Sequence, residues 1–141
     1  MRFLRASCRA GSLIVCLLLV ATGTALAVRV PSTPLGTSFQ TTLSGKSALL
    51  NGTWTLSFSP TGAYTVAKQP STRILIGGTA TVAGHTIVFV DSNGPNACTG
   101  SQVRGAYSWT MTAGKLRLKV TSDACSGRAT VLGSGTFVKT G

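Results

Sequence analysis

Short runs of alternating apolar and polar residues, separated by turn-forming residues, fill most of the chain. The first clear run puts Trp54, Leu56 and Phe58 on one face and serine and threonine on the other. This period of two is typical of a β-strand with one buried face. The Pro60-Thr61-Gly62 sequence that follows predicts a turn into a second strand of the same kind.

The same pattern continues to the C-terminus with one interruption. Further strands are predicted over residues 63–66, 74–82, 86–91, 107–111, 116–120 and 136–139. The Gly77-Gly78 pair indicates a bulge or corner in one of them. A short helical turn through Arg128 is predicted before the last strand, with Ser122 or Asp123 as its cap. Gly133-Ser134-Gly135 then ends that turn.

These elements predict an all-β domain over residues 49–141, with seven or eight short strands and one short helical turn near the C-terminus. Strands that follow one another through tight turns are antiparallel, because parallel pairs need long crossovers. An antiparallel up-and-down meander of this size avoids exposed edges by closing into a barrel. A sandwich of two sheets is the alternative architecture.

The N-terminal residues have the composition of an export signal. Arg2, Arg5 and Arg9 precede a short apolar core, and Ala25-Leu26-Ala27 follows it. The small-x-small pattern predicts a signal peptide over residues 1–27 that is cleaved after Ala27, with an uncleaved membrane anchor as the alternative. After cleavage no stable membrane span is expected, and the protein is predicted to be secreted or to reside in the periplasm or cell wall.

Residues 28–48 are rich in Ser, Thr, Gly and Pro and have no sustained period, which predicts a flexible tether before the domain. Of the four cysteines, only Cys98 and Cys125 lie outside the predicted signal. Two cysteines in a small exported protein are expected to form a disulfide. A thiolate metal site is the alternative, but His85 is the only histidine and no Cys-x-x-Cys spacing occurs. No metal or cofactor is predicted.

The ordered motifs of the domain resemble a known family. They read G-T-W-T-L-S-F, G-A-Y-T-V, G-P-N-A-C, G-A-Y-S-W and D-A-C-S-G-R, between Leu49 and Lys139. The set resembles small secreted bacterial lipocalin-like proteins, and Gly52-Thr53-Trp54 resembles the Gly-x-Trp that opens the first strand in lipocalins and other calycins. The resemblance implies structural roles for Gly52 and Trp54 at the closed end of the barrel. It also implies a basic residue across the Trp54 ring, for which Arg128 is the match.

Candidates for catalysis are few. Asp91 and Asp123 are the only carboxylates in the chain. Asp91 ends a predicted strand and is expected to form a turn, while Asp123 is expected to cap the helical turn or to pair with Arg128. No Gly-x-Ser-x-Gly motif supports a catalytic serine. The protein is therefore not expected to be an enzyme.

The charge balance is strongly basic, with 13 Lys and Arg against two acidic residues. Lys115, Arg117 and Lys119 alternate with apolar residues, which predicts three cations on one strand face. Such a face suits an anionic envelope polymer, although a merely solvated barrel exterior is the alternative. Nucleic acid is not expected as a partner, because the aromatic residues share the apolar face and are not interleaved with the cations.

A barrel of eight strands has room for side chains or for one small ligand. Five aromatic residues are predicted to point inward and to line such a ligand site: Phe58, Tyr64, Phe89, Tyr107 and Trp109. The primary hypothesis from the sequence is an exported, non-enzymatic binding protein, with a small apolar molecule as its ligand. The alternatives are attachment to anionic envelope polymer through the basic strand, and, by analogy of fold alone, inhibition of a secreted protease.

Overall fold

A computed structural model describes residues 32–140, so the predicted signal peptide and the first residues of the predicted tether lie outside the described part. Eight strands and one α-helix are present in it. The strands are β1 Ser38–Leu43, β2 Gly52–Phe58, β3 Ala63–Lys68, β4 Ile74–Ala83, β5 Thr86–Asn93, β6 Arg104–Thr112, β7 Lys115–Asp123 and β8 Thr136–Lys139. The helix α1 is Ser126–Gly133, and a 3₁₀ turn occupies Gly100–Gln102.

The strands form a closed antiparallel barrel in the order of the sequence. Each strand pairs with the next, and β1 closes the barrel by pairing with β8 through Phe39 and Gln40. Closure leaves no free sheet edge, which removes the hazard of edge-to-edge association. The predicted all-β barrel is therefore confirmed, and the two-sheet sandwich is excluded.

The strand β1 lies inside the segment that the sequence predicted as a flexible tether over residues 28–48. It pairs with β2 along its whole length, and Pro34 just before it is fully buried. The barrel thus begins earlier than residue 49, and Gly52-Thr53-Trp54 opens the second strand, not the first. The inward positions of β1 are Phe39, Thr41 and Leu43. Because the middle one is a threonine, the apolar period is interrupted and the sequence does not predict this strand.

Because consecutive strands alternate in direction, the loops that follow odd-numbered strands meet at one end of the barrel. We call this the helix end, since α1 and the 3₁₀ turn both lie there. Cys98 and Cys125 form a disulfide at this end with their α-carbons 6.2 Å apart, as predicted. The bond ties the β5–β6 loop to the start of α1. Neither helix within residues 32–140 is long and apolar enough to cross a membrane.

Three of the strand ladders shift register. The ladder between β4 and β5 shifts register at Gly77 and Gly78, which confirms the predicted bulge. A β-carbon added to Gly78 would lie 3.0 Å from the Tyr64 ring and from the α-carbon of Asp91, so the bulge needs glycine there. The other two shifts lie at Val66 and Ala67 in the ladder between β3 and β4, and at Ala106 and Tyr107 in the ladder between β6 and β7.

The barrel is filled by aromatic rings that contact one another. Phe89 of β5 is fully buried and lies against three rings, with centroids 6.0 Å from Phe58, 4.9 Å from Tyr64 and 5.4 Å from Tyr107. The pairs with the two tyrosines are edge-to-face, the arrangement that aromatic quadrupoles favour. Phe89 is thus the central residue of the core.

We predict that Phe89→Ala lowers the free energy of unfolding by about 3–5 kcal/mol, because it removes a buried ring and leaves a cavity among three others. The matched control is Val88→Ala, which truncates a half-exposed side chain on the outer face of the same strand and should cost about 1 kcal/mol or less. Urea denaturation measures both. Equal losses for the two variants would contradict a core centred on Phe89.

Candidate functional site

Arg128 is the most deeply buried charged residue of the described chain, with 1% of its surface exposed. It lies in the first turns of α1, and its side chain is directed into the helix end of the barrel. The guanidinium has five N–H donors, and all five are used. They bind the carboxylates of Asp91 and Asp123 and the backbone carbonyls of Gln102 and Val103.

The two carboxylates have matching partners. Asp91 accepts hydrogen bonds from the Tyr64 hydroxyl, from Arg128 and from the backbone N–H of Cys98. Asp123 accepts them from the Tyr107 hydroxyl, from Arg128 and from the backbone N–H of Cys125. The two cysteines that hold these carboxylates are the pair joined by the disulfide. We call these five side chains, Tyr64, Asp91, Tyr107, Asp123 and Arg128, the Arg128 cluster.

The roles of Asp91 and Asp123 in the cluster differ in part from those predicted from the sequence. Asp91 is predicted from the sequence to form a turn at the end of its strand, but it lies within β5 and is 4% exposed. Its burial is possible because the guanidinium and two further donors satisfy its oxygens. Of the two roles considered for Asp123, the pairing with Arg128 is the one found, at 2.8 Å. Cys125 occupies the N-cap position of α1, so neither Ser122 nor Asp123 caps the helix.

Burial and hydrogen bonding shift the ionisation of the cluster. Burial, together with donation to Asp91, raises the pKa of Tyr64, and burial with donation to Asp123 does the same to the pKa of Tyr107. Burial alone would raise the pKa of Asp123, but hydrogen bonds from Arg128 and Tyr107 outweigh it and hold that pKa below its usual value. Burial likewise opposes the charge on Arg128, and the two carboxylates overcome it and raise the pKa of Arg128.

The cluster uses every acidic residue that the chain contains. Both carboxylates have fully buried side chains, so neither contributes to the charge of the surface. All exposed charge on the described residues is consequently basic.

Three of the exposed cations lie together on β7. Lys115, Arg117 and Lys119 face solvent, whereas Leu116 and Leu118 between them are buried. The predicted basic face of this strand is thus present as a geometric feature, and we call these three cations the β7 basic face. Its neighbours on β6 are hydroxyl residues, because Thr112, Thr110 and Ser108 lie opposite Lys115, Arg117 and Lys119 in the ladder.

Two surface depressions border the β7 basic face and share Arg117. One has a volume of about 510 Å³ and lies between Lys119 and the Gly133–Thr136 segment. The other has a volume of about 560 Å³ and lies between Lys115 and Val138. The Nε of Arg117 donates a hydrogen bond of 3.0 Å to the Thr136 hydroxyl. This bond fixes the guanidinium at the junction of the two depressions and leaves its terminal N–H groups available.

The cation over the Trp54 ring is Lys68, with its Nζ 5.5 Å from the ring centroid. Arg128, which the resemblance matched to this role, makes no cation–π contact with Trp54 in the described structure, and its guanidinium belongs to the cluster. Lys68 reaches the ring since it lies opposite Trp54 in the ladder between β2 and β3. It also donates to the Leu49 carbonyl at 2.7 Å, while the Trp54 indole donates to Leu50 at 2.8 Å. Trp54 therefore anchors the β1–β2 loop.

Gly52 has a structural position beside this pair. Its φ of +127° is one that residues with a side chain rarely adopt. An added β-carbon would also lie 3.0 Å from the Lys68 side chain.

The five aromatic residues predicted to line a ligand site are all buried within the barrel. Phe58, Tyr64, Phe89 and Tyr107 contact one another, and the two tyrosines are also held by the Arg128 cluster. Trp109 lies apart from them, with its ring centroid 5.9 Å from the His85 ring and its buried indole N–H without a partner in residues 32–140. A ligand among these five residues stays a prediction.

Two participants in the cluster, Tyr64 and Tyr107, are not predicted from the sequence as its members, although a signal for them exists. The hydroxyls of Tyr64 and Tyr107 are polar groups on an apolar face, and a buried hydroxyl needs a partner. Since the chain has two carboxylates and two tyrosines, their pairing could have been considered. Lys68 gave no such signal, because its contact with Trp54 depends on strand register.

No family model, no curated protein and no solved structure matches this chain.

We predict that Arg128→Met lowers the free energy of unfolding by about 3–5 kcal/mol, because it leaves two buried carboxylates without their counter-charge. The exposed Arg104 on β6 provides the control, and Arg104→Met should change stability by about 0.5 kcal/mol or less. Chemical denaturation of both variants measures the difference. Similar small losses would show that the cluster does not carry the stability assigned to it.

We also predict that the stability of the fold is highest at intermediate pH and declines at low and at high pH, because groups of the Arg128 cluster change their ionisation there. The lowered pKa of Asp123 stabilises the fold above its ordinary value of 3.8, and this stability is lost as the pH falls through the lower folded value. The raised pKa of Tyr64 and Tyr107 stabilises the fold below their ordinary value of 10.0, and this stability declines as the pH rises above it. Denaturation midpoints measured from pH 3 to pH 11 should follow this profile.

The alkaline decline should be shallower in Tyr107→Phe than in the unmodified protein, because the variant has one fewer hydroxyl to ionise on unfolding. An identical alkaline decline in the two proteins would contradict the role given to Tyr107.

Proposed function

We propose that this is an exported, non-enzymatic protein whose β7 basic face binds an anionic polymer of the cell envelope. One observation carries the proposal: both carboxylates of the chain are buried against Arg128, so the exposed cations have no acidic neighbour to neutralise them. The field outside the barrel is therefore positive over the described surface, which favours attraction of a polyanion.

The spacing of the cations suits a repeating ligand. Alternate residues of a strand lie about 7 Å apart, so Lys115, Arg117 and Lys119 present three charges over about 13 Å. The hydroxyls of Ser108, Thr110 and Thr136 border the same surface and supply further hydrogen bonds. Arg117, held by Thr136, is the residue best placed to bind a phosphate or carboxylate through two parallel N–H groups.

One observation favours an envelope polymer over nucleic acid. Proteins that bind single strands of nucleic acid stack the bases on exposed aromatic rings. Every Phe, Tyr and Trp between residues 32 and 140 is buried, so the described surface offers no such ring beside the cations. A polymer recognised by charge and hydroxyl contacts alone agrees better with this surface.

We propose that the protein is not an enzyme because both of its carboxylates have structural roles. Asp91 and Asp123 bind Arg128, tyrosine hydroxyls and backbone N–H groups. A general acid or base must reach the substrate, and both carboxylates have fully buried side chains.

We also propose that the protein is exported and that it is related to the calycins. The signal-like sequence at the N-terminus and the disulfide both favour an oxidising compartment. The closed up-and-down barrel, with Gly52-Thr53-Trp54 beneath a cation, supports kinship with the calycin group. The position of that motif on the second strand is the point at which this chain departs from the calycin pattern.

The test compares two triple variants with the same loss of charge. In the first, Lys115, Arg117 and Lys119 are changed to Gln; in the second, Lys46, Arg73 and Arg104, which are also exposed, are changed to Gln. Binding to polyphosphate and to alginate, a phosphate and a carboxylate polymer, is measured at several salt concentrations. We expect the first variant to bind about tenfold or more weakly and the second to bind within about threefold of the unmodified protein, with salt weakening all binding.

Equal weakening by the two triple variants would mean that net charge alone attracts the polymer and that β7 is no site. Binding that ignores both salt and the β7 substitutions would overturn the proposal. A preference for one polymer over the other would identify the anionic group that the face recognises.

A further inference from the structure

A cavity of about 240 Å³ opens at the helix end of the barrel, away from the β7 basic face. Its apolar wall is formed by Leu50, Trp54, Ile76 and Val131. Trp54, Ile76 and Val131 are each at most 5% exposed, so they form the inner part of the cavity. Asn96 and Ser126 are exposed and form its polar rim.

The walls of this cavity are fixed before any ligand arrives. The disulfide joins the two segments that carry Asn96 and Ser126, and Trp54 is held by its hydrogen bond to Leu50. Arg128 lines the cavity as well, and the cluster holds it in place. A preformed apolar pocket with a few polar groups is the usual form of a small-molecule site, and rigid walls reduce the entropy cost of binding.

The polar groups that line the cavity suit a neutral ligand. All five N–H donors of Arg128 are used inside the protein, and its single positive charge faces two carboxylates. The side chains of Asn96 and Ser126 take part in none of the hydrogen bonds found among the described residues, so they remain available to a neutral donor or acceptor.

We propose that this cavity binds a small, neutral aromatic molecule that carries one hydrogen-bonding group. The ring would lie against Trp54, Ile76 and Val131, and its polar group would reach Asn96 or Ser126 at the rim. An apolar cavity of about 150 Å³ in another protein admits benzene, so 240 Å³ accommodates one ring with a few substituent atoms. The site is distinct from the β7 basic face and from the five aromatic residues predicted to line the barrel.

The two tryptophans make the proposal testable with one probe. In the ¹⁵N-labelled protein, titration with p-cresol is followed through the indole N–H resonances, which the Trp109→Phe variant assigns. We expect a saturable shift of the Trp54 resonance, while the Trp109 resonance does not move.

A cavity-filling variant locates the site. Gly127 lines the cavity, and a β-carbon added there meets no atom within 4 Å, so Gly127→Leu should fold and should weaken p-cresol binding at least about tenfold. Ser122→Leu, on an exposed position of β7 outside the cavity, should bind p-cresol like the unmodified protein. If Gly127→Leu fails to fold, Leu50→Trp narrows the same cavity from the β1–β2 loop and should have the same effect.

A Trp54 resonance that does not shift would overturn the proposal. A shift of Trp109 without Trp54 would overturn it in favour of a ligand inside the barrel, and full binding by a folded Gly127→Leu variant would also contradict it. The variant with Lys115, Arg117 and Lys119 changed to Gln should bind p-cresol normally, so this site and the polymer-binding face succeed or fail independently.

Discussion

One guanidinium shared by two buried carboxylates organises the helix end of this barrel. Arg128 projects from α1 and binds Asp91 on β5 and Asp123 on β7, and it also takes two carbonyls of the segment that leads into β6. Each carboxylate then holds a tyrosine hydroxyl from the barrel interior and the backbone of one disulfide cysteine. A buried ion pair of this kind is tolerable only when its remaining donors and acceptors are satisfied, and the cluster meets that condition. The positions of α1, of the β5–β6 loop and of two core rings consequently depend on one another.

The same arrangement determines the character of the surface. A protein that buries its only two acidic residues around one arginine leaves its other cations without internal partners. Lys68 is the partial exception, because it covers the Trp54 ring and donates to the β1–β2 loop. The cations on β7 have neither kind of contact with an acid or a ring, and Arg117 alone among them is fixed, by a threonine. Both carboxylates are thus used inside the protein, and for that reason the β7 basic face has no acidic neighbour and is available to a polyanion.

The interior of the barrel around Phe89 is filled by side chains, whereas the helix end contains a cavity. Within the barrel, Phe89 is enclosed by three rings, and two of those rings are also fixed by hydrogen bonds to the Arg128 cluster. The strands end at the helix end, and the space between Trp54 and α1 is bordered by loops and by the helix. Gly127 of α1 lines this space. Close packing is easier to achieve between regular strands than where a strand, a loop and a helix meet. The cavity of about 240 Å³ accordingly lies beside the helix.

The sequence by itself determined the period of the strands and the turns between them, because these depend on local alternation. It also determined the pairing of Cys98 with Cys125, because these are the two cysteines outside the predicted signal. It also placed three cations on one face of β7, since a strand fixes which side chains share a face. It did not find β1, because the inward Thr41 breaks the apolar alternation. The neighbours of Trp54 and Asp91 were decided by the tertiary structure alone. Lys68 reaches Trp54 through strand register, and Arg128 reaches Asp91 across 37 residues of sequence. Contacts of that separation depend on how the barrel closes, and no local pattern in the chain encodes them.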